Sequence, residues 1–151
     1  LLTLSLVSGG QVSPERAAEM RFASEAQKIA DLGLSITIMA VRKNPDWRKQ
    51  HIQGTWVDRK PFGGGSFSIV VQDGADANGN GRIDADEGDG DLAGPVDEDV
   101  TLLCWAEYEG IVRFAGGVVR PSPFKLQRLR KPPATARRSG EANPVATESG
   151  K

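Results

Sequence analysis

The chain has 151 residues of which 38% are hydrophobic, enough for one modest core and too few for two. Its formal net charge of -1 conceals two opposed blocks: Asp73 to Asp99 holds ten acidic residues against Arg82 alone, and Arg120 to Arg138 holds seven basic residues and no acid. Charge divided in this way makes no continuous cationic face, so nucleic acid is not an expected partner. The single cysteine, Cys104, excludes an intramolecular disulfide framework and a cysteine-rich metal site.

Residues 1–12 open on Leu-Leu-Thr-Leu-Ser-Leu-Val, far short of the ~20 apolar residues that cross a bilayer, and read as the stump of a longer apolar segment. Ser13-Pro14-Glu15 starts a helix: a hydroxyl cap, a proline that needs no donor at the first helical position, and an acid near the positive end of the dipole. The spacing carries this helix to about Lys43. Phe22, Ala26, Ile29, Gly33, Ile36 and Ala40 fall on one stripe that faces a partner, while Leu32, Leu34, Ile38, Met39 and Val41 widen the apolar surface of the second half. The C-terminal half is therefore expected to be buried and the N-terminal half to protrude. Asn44-Pro45 ends the helix, because the residue before proline disfavours helical geometry.

From Gly54 the period changes to two. Gly54 to Arg59 and Gly65 to Gln72 read as antiparallel strands joined by the loop Lys60 to Gly64, with Phe67, Ile69 and Val71 on one face. Val100 to Tyr108 and Ile111 to Arg120 read as a second hairpin turning at Glu109-Gly110. The expected fold class is α+β, a long N-terminal helix on a three- to four-stranded antiparallel sheet. Residues 122–151 are basic, proline-containing and without periodicity past about Leu126, and read as a disordered tail.

The most specific signal lies between the second and third strands, inside the acidic loop 73–99. Asp76-Ala-Asn-Gly-Asn-Gly-Arg-Ile-Asp-Ala-Asp-Glu87 matches the twelve-residue calcium loop of EF-hand type. Asp76, Asn78 and Asn80 supply oxygens at positions one, three and five, and Gly81 at position six permits the sharp turn. Arg82 offers its main-chain carbonyl at seven, Asp84 binds at nine directly or through water, Glu87 closes the site at twelve, and Ile83 turns inward as an apolar anchor. Hard oxygen donors of this number favour calcium over magnesium. A strand precedes the loop where a regulatory EF-hand has a helix, so the expected role is a clip that fixes strands two and three in register. Asp89, Asp91, Asp97, Glu98 and Asp99 read as solvated extensions of the acidic block.

Catalytic constellations are lacking. His51 is the only histidine, no serine or cysteine stands in a nucleophile-elbow context, and Gly63 to Gly65 precedes a strand and not a helix, so it is no phosphate cradle. Cys104, Trp47, Trp56 and Trp105 read as core or sheet-packing residues. Neither an enzyme nor a small-molecule substrate is expected.

The order of these elements resembles the type IV pilin-like families. More narrowly, Ser24 to Leu34 followed by Asn44-Pro-Asp-Trp-Arg48, then strands at Gly65 to Gln72 and Asp99 to Arg120 around an aspartate-rich insertion, is similar to the PilX-type minor pilins. The likeness covers roughly residues 1–121, with 13–121 as the pilin-like domain. It implies a structural subunit of a type IV pilus or a type II secretion-like pseudopilus in the bacterial cell envelope. An inner-membrane anchor would lie upstream of Leu1, the domain would stand in the periplasm or outside, and the N-terminal helix would pack among other pilin or pseudopilin subunits. The sequence departs from the family pattern in lacking the prepilin cleavage site and in carrying Ala30-Asp-Leu-Gly33 in place of the commoner acid-alanine-glycine. A secreted adhesion module with one calcium loop is the alternative that the same residues allow.

Overall fold

A computed structural model describes residues 10–94, 99–121 and 124–134. The first helix, α1, runs Pro14–Lys43, and the Ser13 hydroxyl accepts the Arg16 N–H at its start. Asn44, pushed to extended geometry by the following proline, ends it. One helical turn, α2 (Trp47–Gln50), leads into β1 (Gly54–Phe62), β2 (Gly65–Asp73), β3 (Val100–Tyr108), β4 (Ile111–Pro121) and β5 (Phe124–Leu129). The five strands form one antiparallel sheet in the order β1-β2-β3-β4-β5, and α1 lies across β2, β3 and β4.

Two hairpins follow from local chemistry. Gly63 and Gly64 both have positive φ, 57° and 83°, so β1 continues through Lys60–Phe62 to pair with β2, and only two residues of the expected five-residue loop remain a turn. Glu109 and Gly110, at 48° and 76°, turn β3 into β4. The apolar stump expected at 1–12 falls on residues that, up to Gly9, lie outside those described.

The core forms where α1 meets one sheet face. Ile29, Ala30, Leu34, Ile38 and Val41 pack against Phe67, Ile69, Val71, Val100, Leu102, Cys104, Ala115 and Val119. Phe67, Ile69 and Val71 face the helix together, as expected. The helix stripe is partly different. Buried positions advance as 26, 29–30, 33–34, 37–38 and 41, slightly more than the 3.6 residues of a turn, so the contact line rotates as a straight helix crosses a twisted sheet. Ile36 and Ala40 consequently face outward, and Leu32, Ile36 and Met39 form an exposed apolar strip along the second half of α1. That half is buried on one side only. Only the first turns, Pro14 to Arg21, are largely exposed; Phe22, Ala23 and Gln27 are half-buried and Ala26 is fully buried, so the exposed part is shorter than the expected half.

The fifth strand corrects the tail expectation. Residues 124–129 pair with β4 from Pro121↔Phe124 to Gly116↔Leu129. The Arg42 guanidinium lies 4.7 Å from the Phe124 ring centroid and Arg128 reaches Asp31 at 3.7 Å, so both ties run to α1 and neither is visible in local sequence. Lys125, Leu126, Gln127 and Arg128 are all exposed, as an edge strand allows. Residues 135–151, the remainder of the expected tail, lie outside the described residues. No helix among the described residues is long and apolar enough to cross a membrane.

Candidate metal-binding loop

The acidic loop leaves β2 at a stem closed by two glycines. Gly74 has φ +84°, and a side chain there would run into the Glu87 carbonyl; one at Gly88 would meet the Asp73 carbonyl. Main chains that approach this closely require glycine on both sides. The Gly74 N–H donates to the Asp99 carbonyl at 2.9 Å and the Thr101 hydroxyl donates to the Gly74 carbonyl at 2.8 Å, which ties the outgoing arm to the returning one.

Within the loop the side chains of Asp76, Asn78, Asn80, Asp84 and Glu87 are tied to the main chain and to one another by hydrogen bonds. Asp76 accepts from the Asn80 N–H at 3.0 Å and the Gly81 N–H at 2.8 Å. Asn78 Oδ1 accepts from the Asn80 N–H, and Asn80 Oδ1 from the Arg82 N–H. Glu87 returns across the loop: Oε1 accepts from Ala77 and Asn78 N–H, both at 2.9 Å, and Oε2 accepts from the Asp84 N–H at 3.1 Å. The amide groups of Asn78 and Asn80 both donate to Asp84 Oδ2, at 3.2 and 2.7 Å. Gly79 and Gly81 carry φ of 75° and 86°, the left-handed geometry that lets the chain curl around its own carboxylates. After Asp84 a single helical turn forms, with Glu87 and Gly88 N–H donating to the Asp84 carbonyl, and this aims Glu87 back at residues 77 and 78.

The donor set is carboxylate, amide and main-chain oxygen, the chemistry that suits a hard divalent cation. Among the described residues no group of three or more histidine, cysteine, aspartate or glutamate side chains stands at metal-holding spacing. Asp76, Asp84 and Glu87 therefore do not form such a group; their oxygens accept from main-chain N–H groups and from the amides of Asn78 and Asn80. Ile83 is half-buried beside Gln53, Asp73 and Gly88 at the loop base.

Several supports of the loop escaped sequence reasoning. Asp73, 2% exposed, accepts the Asp89 N–H on Oδ2 at 3.1 Å, while its own N–H donates to Gln53 Oε1; Oδ1 has no hydrogen-bond partner among the described residues. Burial pushes the Asp73 carboxyl above its ordinary range, and the neighbouring Asp89 adds to the rise. Leu92, also 2% exposed, drops from the acidic segment into the core. Asp99 is no free solvated charge: its two oxygens take Arg120 Nε and Nη2 at 2.8 and 3.0 Å. Of the expected acidic extensions, residues 95–98 lie outside the described set.

Elsewhere the chemistry is quiet. Cys104 is fully buried, and burial lifts its thiol to about 12, far from a reactive thiolate. His51 hydrogen-bonds the Trp47 carbonyl and stacks 4.4 Å from Trp56. Trp47 is buried, and Trp56 and Trp105 are half-buried against the sheet. No protein-family model matches the chain, and no match was found among the curated proteins or the solved structures.

Proposed function

We propose that this chain is a structural subunit of a pilin-type filament or pseudopilus whose head domain is braced by calcium. The observation that carries the reading is the division of α1. One side of its second half is built into the core, whereas Leu32, Ile36 and Met39 on the other side stay 40–53% exposed. An apolar strip of this kind on a long helix suits packing against other helices. It agrees with the likeness of Ser24 to Leu34 and Asn44 to Arg48 to PilX-type minor pilins, in which that helix is the assembly element.

Calcium would be held by Asp76, Asn78, Asn80, Asp84 and Glu87 through side-chain oxygens and by the Arg82 carbonyl. When bound, the ion would offset the mutual repulsion of Asp76, Asp84 and Glu87. It would also hold the connection between β2 and β3, and so the register of Asp73 opposite Val100. The role is mechanical, with no catalytic step.

A photo-crosslinking residue in place of Met39, on the exposed strip, in the native host, tests the assembly reading. Adducts with pilin-type subunits, identified by mass spectrometry, are expected. Adducts confined to unrelated proteins, or none at all, would remove the support for it.

A further inference from the structure

The chain after β5 returns to the acidic loop. Ala134 N–H donates to the Gly81 carbonyl at 2.5 Å, and Pro133 is buried. Between them and the sheet lies a hollow of about 390 Å³, walled by Asp76, Asn80 and Gly81 on one side and by Thr101, Gln127 and Leu129 on the other. Gly81 is the hinge of the loop. Its N–H is taken by Asp76, which holds the Asn80–Gly81 peptide, while the next peptide is held at both ends, its Arg82 N–H by Asn80 from inside the loop and its Gly81 carbonyl by Ala134 from outside. Pro132 and Pro133 hold the approaching segment in a restricted conformation, so little chain entropy is lost when it docks.

We propose that residues 131–134 are a strap whose docking and the binding of calcium to the loop reinforce one another. The proposal rests on the calcium reading of the loop. With the ion in place, the loop holds the curl that presents the Gly81 carbonyl to Ala134. Without it, the carboxylates of Asp76, Asp84 and Glu87 repel one another, the hinge loosens and the strap loses its anchor. Linkage requires the converse by the same factor: a docked strap restricts the hinge to the conformation that the ion needs and raises calcium affinity.

The full chain, titrated with calcium by calorimetry and followed by exchange of the Ala134 amide, tests this. Ala134→Pro removes the donor, and Ala134→Gly keeps it. The expected result is calcium binding about two- to tenfold weaker in Ala134→Pro, the range that one hydrogen bond supplies, and near-parental binding in Ala134→Gly. The Ala134 amide of the unmodified chain should be protected with calcium and exchange faster with chelator. Equal affinity in Ala134→Pro and parent, or equal protection with and without the ion, would overturn the coupling while leaving the loop site standing. A parent chain that takes up no calcium would overturn the loop reading itself, and the coupling with it.

Discussion

Gly33 of α1 touches Cys104 of β3 so closely that a methyl group at residue 33 would come within 2.5 Å of the sulfur and 3.2 Å of the Phe67 ring. This contact sets how near the helix lies to the centre of the sheet. Gly33→Ala would gain about 1 kcal/mol of helix propensity and meet an overpacking cost of about 1–3 kcal/mol, so a lower urea midpoint is expected. In a Cys104→Ala background the space exists, and the same substitution should become neutral or stabilising. Simple additivity in that double-mutant cycle would show that the two residues do not press on one another.

Arg120 and Asp99 close the exit of the acidic loop onto β4 by a two-pronged ion pair, with side chains 40% and 32% exposed. Solvent screening keeps its contribution small, about 1 kcal/mol. Arg120→Ala should lower the melting temperature by a few degrees at low salt and by less at 1 M salt. A salt-independent loss would point to packing in place of charge.

The edge strand and strap make the C-terminal segment part of the fold. Truncation after Pro121 strips β4 of its partner from Gly116 to Pro121 and uncovers Gly117, over which Leu126 lies. A fall in melting temperature on the order of 5–10 °C is expected. An unchanged melt would mean that the strand is docked without contributing stability.

Asp73 gives a pH signature in calcium-free protein. Its folded pKa is raised, so its proton favours the fold: the contribution is fully present below the ordinary value of 3.8 and is lost as pH rises through the raised folded value. The neighbouring Asp89 carboxyl adds to the rise that burial of Asp73 causes. Asp73→Asn, which keeps an acceptor for the Asp89 N–H, should flatten the decline in stability above pH 3.8 and stabilise the apo form near neutrality. Unfolding midpoints measured from pH 4 to 8 decide the matter, and parallel curves for the two proteins would contradict it.

What was legible in the sequence was what local chemistry determines. Ser13-Pro14 and Asn44-Pro45 bound the helix, and Glu109-Gly110 and Gly63-Gly64 demand tight turns. Gly79 and Gly81 announce the tight curl of the loop, which the main-chain N–H groups bonded to Asp76 and Glu87 close. What was missed depends on partners distant in sequence. Ile36 and Ala40 were placed on the buried stripe because spacing carries no information about sheet twist. The fifth strand was read as tail because its alternation is masked by charges, and its ties run to Asp31 and Arg42 on α1. Leu92 is one apolar residue in an acidic run, and its role as a core anchor appears only when the loop folds back.

The account turns on calcium bracing the loop between β2 and β3. Melting temperature followed through a calcium titration, on the parent chain and on Glu87→Gln, tests it most directly, because an ion that binds only the folded state must stabilise it by mass action. The account predicts a melting temperature that climbs with calcium in the parent and barely moves in Glu87→Gln. A parent melt indifferent to calcium and to chelator, or one that rises equally in both proteins, would contradict it.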